Sequence, residues 1–451
     1  MPSGARNGLF TASLAVAAML ILLQSCLKST GPKLPEEVVK VIQQTGVNRI
    51  ELTKIIARYY PDDSIRLTAA YFIIGNIYRQ YSVEYELVDS NGNQIPFQPT
   101  DLVDSIPLKE SWELFSKKHS HAKFKALNFS MDRDTLTASY LANNIDLAVE
   151  SRGYWWSSDI PDDDFYENVL PYRVSNEIPD DWRQYLADFI LPQIPDSIRY
   201  SRNRVAFLVN QNIHHRIVTD GRFSKQTRLS SPKEILERGR GSQEEISHLK
   251  VKILRSIGIP AAIDYIPYAG KSGSTWYFPV FLNEEKKYQP LLQSGEDSTF
   301  PTSVHISKVY RRCFSNPMTG LFAQKHSQQS SPPFLGHYPQ LDVTRYYVPI
   351  DSIIFRGHCN DSIMYLAVWD GETWKAVDWA RVGDGKAVFN DIGPIAHYRF
   401  AVMKADSLVL LPEYAPPDGC EKSLNPRSND GRKKPFHTQQ STGFQFFDQK
   451  Q

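Results

Sequence analysis

The side chains that most readily serve as nucleophiles, bases or metal ligands are sparse in this chain, and their settings exclude several uses. His214-His215 sits on a segment that reads as an amphipathic helix over 200–217. Adjacent helical residues point to different faces, so this pair does not make a two-histidine metal site. Asp89-Ser90-Asn91-Gly92-Asn93 alternates oxygen side chains like the start of a calcium loop, but it lacks the distal acidic ligand and the flanking helices. It reads as a turn. Asp159-Ile160-Pro161-Asp162-Asp163-Asp164 reads as the start of a helix, where carboxylates are favoured by the dipole. No metal and no cofactor is expected.

The most informative stretch is Arg238-Gly239-Arg240-Gly241-Ser242-Gln243-Glu244-Glu245. Ser242 followed three residues later by Glu245 is a capping box, so a helix starts at Gln243. Ile246, Leu249, Ile253 and Ile257 fall on one face of it. Gly258 is placed to cap its end, and Pro260 blocks continuation. Ala261 to Ile266, Trp276 to Leu282 and Tyr288 to Leu292 read as strands, with a turn at Asn283-Glu284-Glu285-Lys286. The first turn of a buried helix holds unpaired N–H groups and a positive dipole end. A cysteine there has its thiolate stabilised, and histidine and carboxylate on neighbouring strands can complete a catalytic unit.

From Ser231 to Leu292 the chain resembles the transglutaminase-like, papain-related family, through the helix start and through Leu254-Arg255-Ser256-Ile257-Gly258-Ile259-Pro260. The resemblance implies a core in which one helix packs on an antiparallel sheet. It also places the family's cysteine at Gln243, its histidine at Ser274 or Thr275, and its acid near Leu291 or Leu292. None of these residues can take those roles. A carboxamide is not a nucleophile, and neither a hydroxyl nor a leucine can act as base or orienter. Loss of the nucleophile alone removes nearly all the power of such a unit. Ser242 is adjacent, but its best use is as the cap. His248 lies more than a turn inside the helix, away from its mouth. His305 and Cys313 fall in a segment that reads as a loop. Ser242, Tyr265, Trp276 and Tyr277 are the candidate cleft-lining residues.

Around this segment the expected class is α+β. Residues 1–25 read as a lipoprotein signal peptide, because Leu14 to Leu23 is wholly apolar yet too short to span a bilayer. Leu23-Gln24-Ser25-Cys26 resembles a lipobox, which implies a lipid on Cys26 and makes the membrane the first partner. Residues 26–35 form a tether, 36–175 a helical or mixed region, and 176–310 the transglutaminase-like domain. Short runs at Val343 to Val348, Ile353 to Phe355, Met364 to Trp369, Trp374 to Trp379, Ala387 to Phe389 and His397 to Met403 suggest an all-β sandwich over 340–415. Asp370-Gly371 and Asp384-Gly385 supply its turns. Residues 421–451 lack periodicity and are expected to be disordered.

With 51 basic and 50 acidic side chains, no nucleic-acid partner is expected. The three cysteines left after Cys26 cannot make a disulfide framework. The leading expectation is a lipid-anchored protein of the bacterial cell envelope, with the outer membrane preferred because Leu27 gives no acidic retention signal. Its domain would be catalytically inactive and would serve a binding or scaffolding role toward peptide or glycan. The alternatives are a hydrolase of peptidase or deamidase type with non-standard groups, and a carbohydrate-binding protein acting through the C-terminal β region, where Trp369, Trp374 and Trp379 are the candidates.

Overall fold

The computed structural model describes residues 33–269, 274–292, 306–317, 321, 331–336, 338–357, 359–394 and 397–412. The leader, Cys26, most of the tether, His305, Cys420 and the 421–451 tail lie outside the described residues. No helix among those described is long and apolar enough to cross a membrane.

The described residues begin with three helices, α1 (Glu36–Gln44), α2 (Arg49–Tyr59) and α3 (Ser64–Asn76). Each buries one apolar stripe, and Val38, Val41, Leu52, Ile55, Ile56, Ile73 and Ile74 share one core. Next come β1 (Tyr81–Val88), α4 (Leu108–Lys118) and β2 (Lys123–Met131). β1 and β2 pair antiparallel with a bulge after Glu84. The turn at Asp89 closes on itself, since Asp89 Oδ1 accepts from the N–H groups of Asn91 and Asn93, both at 2.8 Å. Helices α5 (Ala138–Glu150), α6 (Asp162–Asn168), α7 (Trp182–Ile190), α8 (Arg202–Arg216) and α9 (Pro232–Arg238) lead to α10 (Gln243–Ser256). The acidic cluster does start a helix, and its outer carboxylates pair with arginines, Asp162 with Arg152 and Asp159 with Arg202.

The central sheet follows α10. Its strands are β3 (Ala261–Ala269), β4 (Ser274–Leu282), β5 (Tyr288–Pro290), β6 (Tyr310–Arg312) and β7 (Gln340–Asp342), in the spatial order β5-β4-β3-β6-β7. All four pairings are antiparallel. Two segments depart from expectation. The segment leading to Cys313 contains β6, and Cys313 itself lies just past the end of that strand. Val343 to Val348 is not a strand but a 3-10 turn over Thr344–Tyr346. Thr344 donates from its N–H and its hydroxyl to Asp342 Oδ1, at 3.0 and 2.6 Å, which turns the chain out of the sheet as soon as β7 ends.

The C-terminal part contains β8 (Asp351–Arg356), β9 (Ile363–Trp369), β10 (Trp374–Arg381), β11 (Lys386–Ile392), β12 (Tyr398–Lys404) and β13 (Ser407–Leu410). β8 pairs with β11, and a second sheet runs β10-β9-β12-β13. Phe355, Ala387 and Phe389 from the first meet Met364, Leu366 and Ala380 from the second in one core. Asp370-Gly371 turns β9 into β10, with Asp370 Oδ1 accepting from Glu372 N and Thr373 N. Asp384-Gly385, both at positive φ, carries the chain from one sheet to the other. Trp379 packs into the core beside Tyr365, whereas Trp369 is 52% exposed. The protein is therefore a mixture of helices and antiparallel sheets.

Helix α10 is fixed at both ends by local chemistry. At its end Gly258 adopts φ +78°, and Ile259 N–H returns to Leu254 O. A Cβ on Gly258 would lie 2.4 Å from Ser151 O, so a side chain is excluded by space as well as by φ. Gly258→Ala is therefore expected to destabilise the protein by about 2–4 kcal/mol, read from the shift of its urea midpoint.

Candidate functional site

The start of α10 is locked before any ligand arrives. A short parallel bridge pairs Val218 and Thr219 with Arg240 and Gly241, and so sets the position of Ser242. Ser242 Oγ accepts from Glu245 N–H at 3.2 Å, and Glu245 Oε2 accepts from Ser242 N–H at 3.0 Å. Arg238 donates to both oxygens of Glu245, and its guanidinium lies 3.9 Å from the centroid of the Phe223 ring. The expected capping box is thus present, and it engages the Ser242 hydroxyl, which is buried.

Around the first turn of α10 the fold gathers side chains from distant parts of the chain. Glu244 Oε1 lies 3.8 Å from Arg312, at the end of β6, and 4.0 Å from His248 Nε2, one turn further along α10. Both distances exceed hydrogen-bonding range. Arg312 donates to Ser175 Oγ at 2.5 Å, and its guanidinium packs 4.3 Å from the Tyr338 ring, 5.5 Å from Tyr265 and 6.0 Å from Tyr277. Tyr338 stacks on Tyr81, and Tyr81 stacks on Phe129. The result is an arginine walled by tyrosines beside a carboxylate that is one quarter exposed.

Burial governs the protonation of this group. It pushes the His248 imidazole down to about 3 against the opposing Glu177 charge, so the ring is neutral at pH 7. Its Nε2 is buried and has no hydrogen-bond partner. Burial also raises the Glu244 carboxyl, with Arg312 acting against the shift. The Glu177 carboxylate lies well below the usual range: burial pushes it up, but the cations Lys252 at 3.4 Å and Arg173 outweigh that.

Gln243 occupies the first helical position and is part-exposed. Ser274 opens β4, where it pairs with Ala269. Leu291 is buried in the core beneath α10. Tyr265 is 1% exposed and donates to Gln340, so it walls the site from below. Tyr277 on β4 also meets the helix, where its carbonyl accepts from Ser247 Oγ at 3.4 Å. Trp276 does not line the cleft. Strand residues alternate faces, and Trp276 packs with Ala262, Ile266 and Phe278 on the opposite side of the sheet. His248 is also corrected. A helical side chain leans toward the N-terminus of its helix, which brings His248 level with Glu244 despite its later position.

Sequence reasoning missed Arg312, Glu244, Tyr338, Ser175 and Glu177. The one available signal was Arg311-Arg312 set among strand-forming residues, since a charged pair on alternating faces must find two sets of partners. Arg311 finds its own in Asp264, through Nε at 2.8 Å and Nη2 at 2.9 Å. Among the described residues no group of three or more His, Cys, Asp or Glu is placed to hold a metal ion.

No family profile and no curated protein matches the sequence. Among solved structures the chain is similar to a candidate cysteine protease from Cytophaga hutchinsonii, at 15% identity and a TM-score of 0.23, over 30% of this chain and 42% of that one. It is also similar to a candidate protease from Parabacteroides distasonis, at 9% identity and a TM-score of 0.23, over 53% of this chain and 41% of that one. The chain thus spans less than half the length of either structure.

The neutral imidazole makes a pH prediction. An unfolded His248 titrates near 6.5 and the folded one near 3. Between those values the unfolded state alone takes up the proton, so stability is present above about pH 6.5 and is lost as pH falls through the window. Replacing His248 with Leu removes that contribution. The expected outcome is a shallower loss of stability between pH 6.5 and 4 than in the wild type, measured by urea denaturation at each pH. Equal slopes for the two proteins would contradict a buried neutral histidine.

Proposed function

We propose that this chain is a lipid-anchored protein of the bacterial cell envelope whose transglutaminase-like, papain-related core is catalytically inactive and binds an extended peptide or a glycan. The core in question is α10 packed against the central sheet, and the two C-terminal sheets are read as a β-sandwich beside it. The observation that carries the reading is the state of the helix mouth. Where the family has a thiol stands the Gln243 carboxamide, and the neighbouring Ser242 hydroxyl is engaged by the backbone of Glu245. A nucleophile needs a base within hydrogen-bond reach. The imidazole at this mouth, His248, has no partner at Nε2 and is 4.0 Å from its nearest carboxylate. What remains at the mouth suits recognition: an amide, a part-exposed carboxylate, and an arginine among aromatic rings.

The purified protein is expected to release no ammonia from glutamine peptides and to transfer no acyl group to amines, above the rate of buffer alone. Turnover that disappears on Ser242→Ala or His248→Ala would establish instead a hydrolase with non-standard groups. Retention on immobilised peptidoglycan or cell-wall peptides, weakened about tenfold or more by Arg312→Ala, is the positive expectation for binding, in line with the loss of an arginine anchor. In cells fed an alkynyl fatty acid, label is expected on the wild type and absent from Cys26→Ser. Label on both would remove the lipid anchor from the proposal.

A second reading has one observation behind it. Trp369 and Trp374 are cross-strand partners with ring centroids 5.7 Å apart, and Trp369 is more than half exposed. Exposed indoles are suited to stacking on sugar rings. Binding to a glycan array that is lost in Trp369→Ala but unchanged in Arg312→Ala would assign recognition to this hairpin rather than to the helix mouth.

A further inference from the structure

Among the described residues, the two most exposed of the tyrosine, tryptophan and phenylalanine side chains are Trp155, at 69%, and Tyr200, at 78%. They come from different parts of the chain, yet their ring centroids lie 5.7 Å apart and their planes are inclined at 52°. The rings make an angled platform rather than a flat stack. A contiguous pair of large aromatic rings left in water calls for a reason, because burial would be favourable.

The adjoining residues hold the rings outward. Trp156 is 4% exposed, its Nε1 donates to Ile257 O at 2.7 Å, and its ring stacks on Tyr154. Ser157 Oγ donates to Gly258 O at 2.9 Å. Arg202 is 2% exposed and donates through Nε to Trp156 O at 2.8 Å, which ties the two segments together. Ser201 caps α8 and donates to Glu284 Oε1 at 2.6 Å. With both flanks fastened, the platform is preorganised, and a ligand that stacks on it meets a small ordering cost.

The surroundings select the class of ligand. In 150–170, 195–215 and 276–290, the segments that meet here, no other large apolar side chain is exposed. Two rings offer roughly 300 Å² of apolar surface, whereas a stable protein interface takes about 800 Å² from each partner. The area suits one or two sugar rings, which carry C–H groups on a face and hydroxyls around the rim. A polar partner for those hydroxyls stands beside Tyr200. Glu284 is exposed, and its Oε1 also accepts from Asn203 N–H at 3.3 Å, while Asn203 Oδ1 accepts from Glu284 N–H at 3.1 Å. A carboxylate fixed in this way accepts from hydroxyls and disfavours an anionic ligand.

We propose that Trp155 and Tyr200 form a binding subsite for a neutral glycan, with Glu284 accepting from its hydroxyls. The subsite lies at the end of α10 opposite the mouth, where Trp156 and Ser157 bond the carbonyls of Ile257 and Gly258. The 14 residues of the helix put about 20 Å between the two places. The inference shares no residue with the mouth or with the Trp369–Trp374 hairpin, and it holds whether or not either of those binds a ligand.

Affinity electrophoresis of the full chain tests it, in gels containing mixed-linkage β-glucan, xylan, mannan or dextran, with polygalacturonate as the anionic comparison. Retardation by at least one neutral polysaccharide is expected. Its association constant is expected to fall about tenfold or more in Trp155→Ala and in Tyr200→Ala. Tyr185→Ala, which removes a part-exposed tyrosine on α7, is expected to bind as the wild type does. Both platform rings are exposed, so their variants are expected to keep the wild-type melting temperature. No retardation by any of the neutral polysaccharides overturns the proposal, as does retardation that survives both platform variants. Loss in Arg312→Ala or Trp369→Ala but not in the platform variants moves recognition to the mouth or the hairpin and overturns it too. Retardation by polygalacturonate alone overturns the neutral class. Binding only to phosphatidylglycerol vesicles makes the pair a lipid contact instead.

Discussion

Helix α10 is buried on every side from Glu245 to Ser256, and it carries His248, Lys250, Lys252 and Arg255 inside that span. An apolar core alone cannot accommodate such a helix, because each of these groups needs a partner in a medium that solvates charge poorly. The rest of the fold supplies them to the three cationic side chains. Lys250 donates to Asn210 on α8 at 2.7 Å. Lys252 lies between Glu177 and Asp180, just ahead of α7. Arg255 turns to carbonyls of Ala261 and Arg173. The helices before α10 and the strands after it are thus tied to one axis by polar contacts as well as by packing. Pairs of this kind add little net stability, but removing one partner is costly, and that fixes how the elements sit.

The same constraint sets what the helix mouth can do. Here the cap is closed by Glu245, and Glu245 is in turn held by Arg238 against Phe223. The side chains at this opening that lie outside the cap are the Gln243 amide, the outer face of Glu244, and the tyrosine-walled Arg312, which itself holds Ser175.

A second buried cation joins the central sheet to the C-terminal part. Lys308 is 1% exposed and reaches Asp342 at 2.5 Å, Asp378 at 3.0 Å and Asn390 O at 2.7 Å. Tyr310 adds a hydrogen bond from β6 to Val377 O on β10 at 2.8 Å. Burial lifts the Asp378 carboxyl to about 6 despite Lys308, as one ammonium between two carboxylates would require. The C-terminal sheets are therefore docked through charge as well as through apolar contact.

Much of this was legible in the residues. The capping box at Ser242, the stop at Gly258, the closed turn at Asp89 and the alternation of β9 and β10 are all decided by side chains within a few positions of one another. Such interactions need no tertiary partner, so local reading finds them. It failed where partners are remote. β6 and β7 are three residues each and exist only because β6 adds to β3 and β7 adds to β6, and β2 is separated from β1 by a helix. Ser175 and Arg312 are 137 positions apart, yet they share a hydrogen bond at the site. The sequence by itself determined that a capped helix opens on a carboxamide. Only the tertiary structure decided which charges and rings surround that opening, because bringing them together requires the whole sheet to close around α10.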